Sequence, residues 1–549
     1  MSSETLQYLT DLVKDNPESI DEITSHLKKL RMDAQKPLFD VEELDQKYVW
    51  PDLCFTLKDH QKVVVAWMLK HMLLDVCGIK GGVVAVDTGL GKSIMMAATA
   101  MMVQGCHLIV CEKNMLDDLS AMILKYTKSK QPIIIFHKEK IHDYFYAFNS
   151  ATAAKNKFII TTYDVITSLG KAQGFVAPKK VRKTTKAKPP KPVDERLLAV
   201  SKAFFNTEWA CVYADESQKL SKKTNQLYQC MRHLKAGGRF GCTSTPMKSN
   251  ESELECQMAW MGLDIPESFT IQTFEKYGLT RAVINIRKSD IISDIPKLTR
   301  HTVPITLNET ETNLYRHIRS LATDVIARFK ANTVTYTGVL SAFTQLRQVC
   351  TAPHLLVYGR DVPPGMLFGV GKDFEETWVK TSDDASINSS KMNKLIEIIR
   401  TLPSTDKILI FSEWVGPIRI AQRRLMKEFP GTVALTASGE TKGRSTMYER
   451  FRNEERCRFL CLTTGVGGKG ITFTEANHVF CLEPSWTPVE QEQAVGRIER
   501  IGQLKPCSAY FFQVNGSIEE NMVKKCAEKK AKGEKFLQDV TAKMLEDLL

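Results

Sequence analysis

The chain has 549 residues, 43% of them apolar and 25% charged, with a formal charge of +12. That balance belongs to ordinary soluble globular domains, so wholesale disorder is excluded and two or three cores are affordable. The charge is uneven: residues 1–50 hold 6 basic and 11 acidic side chains, whereas 171–192 hold 8 basic and none acidic. A basic chain of this size points toward nucleic acid more than toward an acidic metabolite, but charge alone fixes neither fold nor chemistry.

The opening MSSETLQYLTD lacks the basic start and apolar middle of a signal peptide. The most apolar stretch, Ile94 to Val103, is far short of the roughly 18–20 residues that a membrane span needs. These features predict a soluble, intracellular protein with no membrane partner. Fourteen cysteines without a CxxC pair suggest neither a disulfide framework nor a zinc ribbon, and they read as buried thiols.

In residues 1–50, Ile20, Ile23, Leu27 and Leu30 step by helical spacing along one face, after a helix start at Asn16-Pro17. This predicts a small helical appendage, docked on the main body or serving as a partner-binding arm. From residue 51 the runs GVVAV, HLIVC, PIIIF, FIITT, CVYAD and RFGCT alternate with helical patterns. Their near-continuous hydrophobicity fits a parallel sheet covered on both faces, an α/β lobe over 51–300. Within it, four prolines and eight like charges over 171–192 cannot build a core and predict a disordered loop. Residues 301–400 read as helices with a Gly/Pro stretch around Pro363 to Gly371. KILIF, TVALT, RFLCL, HVFCLE and AYFFQV give a second lobe over 401–525, and a C-terminal helix over 526–549 closes the chain.

The strongest local signal is GGVVAVDTGLGKS, a strand running into a glycine-rich turn and then the apolar helix SIMMAATAMMV. Gly89 and Gly91 let backbone N–H groups close around phosphate oxygens, and the helix turns its positive end toward them. Lys92 supplies a cation, and Ser93 a hydroxyl for magnesium. The general phosphate loop has a glycine where Val86 stands, so the match is partial. CVYADESQKL places Asp215 and Glu216 after a buried-type strand, where ligands of doubly wound sheets sit. There Asp215 can hold magnesium and Glu216 can orient and deprotonate water, although such a pair alone more often solvates a loop. In EQEQAVGRIERIGQ, Arg497 and Arg500 share one face of a helical pattern, as a solvated basic stripe or as guanidinium donors to a transferring phosphoryl group.

Taken in order, these segments resemble the Swi/Snf-type DNA-dependent ATPases of helicase superfamily two, over about residues 53–525. LKDHQKVVVAWM looks like the adenine-reading segment, with Gln61 as its glutamine. VAVDTGLGKS is similar to the family's own motif I, which also lacks the first glycine, so that Thr88, Gly89, Leu90, Gly91, Lys92 and Ser93 are implied to bind nucleotide. HLIVCEKNMLDDL, FIITTYDVI, ADESQKLSKKTNQ and GCTSTPMKSNESEL resemble motifs Ia, Ib, II and III. The strings around IRKSDIISDIPKLTRHTVPITLNETETNLYRHI and FTQLRQVCTAPHLL are the most family-specific. SSKMNKLIEII, DKILIFSEW, the long run from LTTGVGGKGITF to GRIERIGQ, and SIEENM complete the second lobe.

The resemblance implies two RecA-like doubly wound parallel-sheet lobes with helical insertions, binding ATP and Mg2+. Motif II reads DESQ where many members have DEAH, which bears on coupling rather than on the catalytic groups; Ser244 and the loose SGETKGR segment are further departures. DNA contacts are implied at Lys113, Thr162, Tyr163, Ser412, Trp414, Thr463 and Gly465, through phosphates and therefore without sequence preference. For Trp414 and Trp486, core packing is favoured over base stacking. The 171–192 loop reads as an inert linker, a phosphate-binding strap or, at Pro178 to Lys183, a nuclear import signal.

Together these readings predict an ATP-dependent double-stranded DNA translocase that remodels or clears protein–DNA complexes, with Lys92, Asp215, Glu216, Arg497 and Arg500 catalytic and Ser93 and Asp215 on the metal. The rivals are a strand-separating helicase and a silent DNA- or protein-binding scaffold. A transcription or replication protein is the expected partner of the N-terminal appendage. The compact layout is similar to viral and phage members, and nuclear and infected-cell locations stay open.

Overall fold

The computed structural model describes residues 44–45, 47–51, 53–73, 79–126, 133–136, 158–176, 194–247, 251–263, 279–291, 296–331, 333, 335–353, 389–467, 471–486, 488–528 and 531. The expected N-terminal appendage before residue 44, most of the segment 171–192 expected as a loop, and the expected C-terminal helix beyond 531 lie outside the described residues. The chain divides into two compact units, with the division between Ile291 and Ile292.

The first unit carries a seven-stranded sheet in the order β3-β4-β2-β5-β6-β1-β7. Its strands are β1 (Gly81–Val86), β2 (His107–Cys111), β3 (Ile133–Phe136), β4 (Phe158–Thr162), β5 (Cys211–Asp215), β6 (Arg239–Thr243) and β7 (Val283–Ile286). Every pairing in it is parallel. β1, β2, β4 and β5 are buried along their whole length, which explains their unbroken apolar composition. The helices are α1 (Asp59–Leu73), α2 (Lys92–Met102), α3 (Leu116–Tyr126), α4 (Tyr163–Ala172), α5 (Glu195–Asn206), α6 (Gln226–Arg232) and α7 (Ser252–Met261). One core joins Leu108, Val110, Ile159, Phe204, Trp209 and Trp260. Because all seven strands run the same way, their carboxyl ends share one edge. Asp215 and Val84 both pair with Cys242, so β5 and β1 end nearly level on either side of β6.

The second unit carries a six-stranded, wholly parallel sheet in the order β10-β11-β9-β12-β13-β8. Its strands are β8 (Leu298–Ile305), β9 (Lys407–Ser412), β10 (Val433–Ala437), β11 (Cys457–Thr463), β12 (Ala476–Cys481) and β13 (Cys507–Val514). The helices are α8 (Glu309–Lys330), α9 (Tyr336–Thr351), α10 (Ser390–Thr401), α11 (Val415–Glu428), α12 (Arg444–Asn453), α13 (Thr464–Gly467) and α14 (Pro488–Val495). β8 departs from the expectation of helices over 301–400: it pairs with β13 along all eight residues. It is an edge strand of mixed exposure, so its pattern lacks an apolar run, and the edge position tolerates Pro304. Helix α8 then starts from a complete capping box, Asn308 with Glu311.

Eleven of the thirteen described cysteines are buried. No helix among the described residues is long and apolar enough to cross a membrane.

Candidate active site

The phosphate loop follows β1. Gly89 and Gly91 both take the left-handed backbone conformation, with φ of 89° and 92°, which side chains disfavour. The second is the N-cap of α2, whose residues Ile94 to Ala100 are buried. The helix axis is thereby fixed, with its N-terminal amides facing the loop, an anion-binding arrangement. A side chain at Gly91 would also meet Gln61 Nε2 at 2.5 Å. Gln61 is buried; its Nε2 donates to the carbonyl of Leu90 at 3.2 Å and its Oε1 accepts from the amide of Lys58 at 3.1 Å. The structure therefore places this glutamine against the phosphate loop itself. Lys92 Nζ donates to the carbonyls of Val86 at 2.6 Å and Asp87 at 3.2 Å, across the mouth of the loop.

Asp215 ends β5 on the same edge. Burial foremost, then the charge of Glu216, pushes its carboxyl up to about 7 against the pull of Lys92, and Glu112 adds to the push. Its Oδ2 is buried and accepts no hydrogen bond. A buried oxygen left without a donor is costly unless a cation meets it. The chemistry of Asp215 thus fits a magnesium ion, and Ser93 stands in the first turn of α2, directly after the loop.

Glu216 is the one described non-glycine residue with positive φ, at φ 56° and ψ 49°. Such a conformation costs about 1–2 kcal/mol and points to a site where geometry matters more than stability. Gln218 Nε2 donates to Glu216 Oε2 at 2.5 Å, so the fourth residue of DESQ holds the carboxylate of the second.

Several residues expected on a DNA track turn inward. Tyr163 is buried and its hydroxyl donates to the carbonyl of Asp215 at 2.5 Å. Thr162 is buried and caps α4 by accepting from the amide of Val165. In the second unit Ser412 is buried; its hydroxyl donates to Glu483 at 2.9 Å and accepts from the amide of Trp414 at 3.1 Å. These three hydroxyls and the Trp414 amide are thus engaged within the fold. Thr463 is buried at the end of β11, whereas Lys113 and Gly465 are exposed.

Trp414 and Trp486 flank the guanidinium of Arg347, at 5.1 Å and 5.5 Å from their ring centres; Trp414 is half-buried, whereas Trp486 is exposed and so not a core residue. Arg347, buried, is bidentate to Glu413 and donates to the carbonyl of Pro484. Its part was not foreseen, although it lies inside the quoted FTQLRQVC string. Glu483, likewise unforeseen, is pushed up to about 7 by burial, with Lys391 pulling it down and Glu413 pushing it up.

Arg497 and Arg500 do not share a helix. α14 ends at Val495, and Gly496 is followed by tight turns with amide bonds from Arg497 to Ala494 and from Ile498 to Val495. Glycine is a poor helix former, and it stops the pattern one residue before the first arginine. Arg497 is buried and donates to the carbonyl of Ile471 at 2.8 Å; Arg500 is partly exposed.

Two parallel α/β units, one with a phosphate loop and an acidic pair on a single sheet edge, define a helicase-type nucleotide-binding protein. The chain matches the SNF2-related domain over residues 60–355 and the helicase conserved C-terminal domain over 390–502, and it belongs to the SNF2-related family. Putative helicase 172L of Invertebrate iridescent virus 6 is 23% identical, covering 88% of this chain and 91% of the viral one. A DNA repair and recombination protein RAD54-like of Drosophila willistoni is 24% identical over 61% of this chain, and the ISWI chromatin-remodeling complex ATPase ISW2 of Saccharomyces cerevisiae is 21% identical over 90%. These last matches span less than half of those proteins, 47% and 42%. Among solved structures, the Sulfolobus solfataricus SWI2/SNF2 ATPase core in complex with dsDNA shows 19% identity and a TM-score of 0.37, covering 90% of this chain and 96% of that one.

Proposed function

We propose that the chain is an ATP-driven translocase on double-stranded DNA, hydrolysing ATP when DNA is bound and displacing or remodelling proteins on the duplex. The observation that carries this reading is the meeting, on one sheet edge of an SNF2-related chain, of the Gly89–Gly91 loop, the unpartnered carboxylate oxygen of Asp215 and the left-handed Glu216.

In this reading the loop amides and Lys92 hold the β and γ phosphates, and Gln61 keeps the loop placed beside the base. Magnesium on Ser93 and Asp215 would neutralise charge that develops on the phosphate oxygens. Glu216 orients the attacking water and takes its proton. Arg497 and Arg500 supply guanidinium groups to the transferring phosphoryl, Arg500 being the more exposed of the two. Lys113 and Gly465 contact DNA phosphates, in keeping with sequence-independent binding. Relatives named for DNA repair and for chromatin remodelling support action on protein-covered duplex, and the long match to a viral protein supports a role in virus-infected cells.

ATP turnover measured with and without double-stranded DNA tests this. Stimulation by DNA in the wild type and its loss in Lys92→Ala are expected; wild-type turnover in Glu216→Gln would contradict the assigned chemistry.

A further inference from the structure

A buried hydrogen-bond chain joins the turn after β5 to the loop after β6. Ser217, the residue after Glu216, is fully buried, and its hydroxyl donates to Gln257 Oε1 on α7 at 2.6 Å. Gln257 is fully buried as well; its Nε2 donates to the carbonyl of Pro246 at 2.7 Å and to that of Glu253 at 3.1 Å. Both amide hydrogens and the amide oxygen therefore have partners, in surroundings where water cannot replace a lost one.

Two features set the chain's geometry. A Cβ at Gly241 of β6 would stand 2.9 Å from Ser217 Oγ, so only glycine lets the hydroxyl lie this close to the strand. The far end is a loop with an unmet polar group: the amide of Thr245 donates to Thr243 Oγ1 at 2.9 Å, but the Thr245 hydroxyl is buried without a partner. β6, which that loop leaves, lies between β5 and β1.

We propose that Ser217 and Gln257 are positioning residues that couple Glu216 to the loop over residues 243–247. Movement of Glu216 against bound nucleotide passes along one peptide to Ser217, then through two directional hydrogen bonds to Pro246. The proposal rests on the nucleotide-binding reading given above. A purely packing role for the same residues would make their loss lower stability without separating the response of the two segments.

Amide hydrogen exchange of the full chain, with and without a non-hydrolysable ATP analogue and magnesium, tests it. In the wild type the analogue slows exchange over both 211–220 and 243–247. In Ser217→Ala, which removes a single oxygen, and in Gln257→Leu, slowing over 211–220 is kept and that over 243–247 is lost, with the double variant no worse than Gln257→Leu. Retention of both responses in the variants overturns the relay, as does loss of both together. A wild type that slows only over 211–220 contradicts the relay alone; one that slows over neither contradicts the nucleotide-binding reading and takes the relay with it.

Discussion

The hydroxyl of Tyr163 donates to the main-chain carbonyl of Asp215 over 2.5 Å, tying the first turn of α4 to the last residue of β5. A tyrosine expected on the DNA track thus supports the carboxylate expected on the metal. Tyr163→Phe leaves that buried carbonyl without its donor, at a cost of about 1–3 kcal/mol. Turnover should fall through misplacement of Asp215, while DNA affinity changes by about two-fold or less, since no phosphate contact is lost. Equilibrium denaturation and DNA titration of the same variant check the two halves; a large loss of affinity with unchanged stability would return Tyr163 to the track.

Glu216→Gln keeps an amide oxygen for the Gln218 donor but removes the base. Turnover should drop by about 10²–10⁴-fold, the range of a lost general base, with nucleotide affinity and thermal unfolding close to wild type. Single-turnover hydrolysis and nucleotide titration measure both.

The two arginines should separate. Arg500→Ala is expected to lower DNA-stimulated turnover by about 10³-fold or more, as a guanidinium acting on the transferring phosphoryl group. Arg497→Ala removes, in addition, the bond to the carbonyl of Ile471 and should lower the unfolding midpoint of the second unit. Wild-type DNA-stimulated turnover in Arg500→Ala would contradict its assigned role.

The second unit has a pH-dependent support away from the sheet's carboxyl edge. Burial pushes Asp406 up, but hydrogen bonds from Asn477, Lys505 and His478 outweigh it and bring the carboxyl down to about 2. A depressed folded value favours the native state above the unfolded value of 3.8, and the benefit is lost as pH falls through 2. The shift corresponds to about 2 kcal/mol at pH 7 and about half of that near pH 3. Asp406→Asn should therefore be destabilised at pH 7 by about that amount and approach wild type as the solution is acidified, as read by urea unfolding at each pH.

How far the sequence carried the fold depends on burial. HLIVC, FIITT and CVYAD stand out because both faces of those strands are covered and no polar residue interrupts them. β7 is four residues long and β8 alternates in exposure with a proline inside it, so neither forms an apolar run. The phosphate-loop edge was legible because the spaced glycines and the paired carboxylate, each weak alone, both follow strands buried along their whole length. Orientation was not: nothing in FIITTYDVI or KILIFSEW tells whether Thr162, Tyr163 or Ser412 turns toward solvent or toward Asp215, an amide or Glu483. The helical spacing of Arg497 and Arg500 gave way at Gly496, a poor helix former inside the pattern itself.

Movement along duplex DNA driven by hydrolysis is read out by displacement of a triplex-forming oligonucleotide from a linear duplex. With ATP the wild-type chain should release the third strand, Glu216→Gln should not, and a forked duplex given the same conditions should stay paired. A third strand left in place while the forked duplex separates would contradict translocation and mark the chain as a strand-separating helicase.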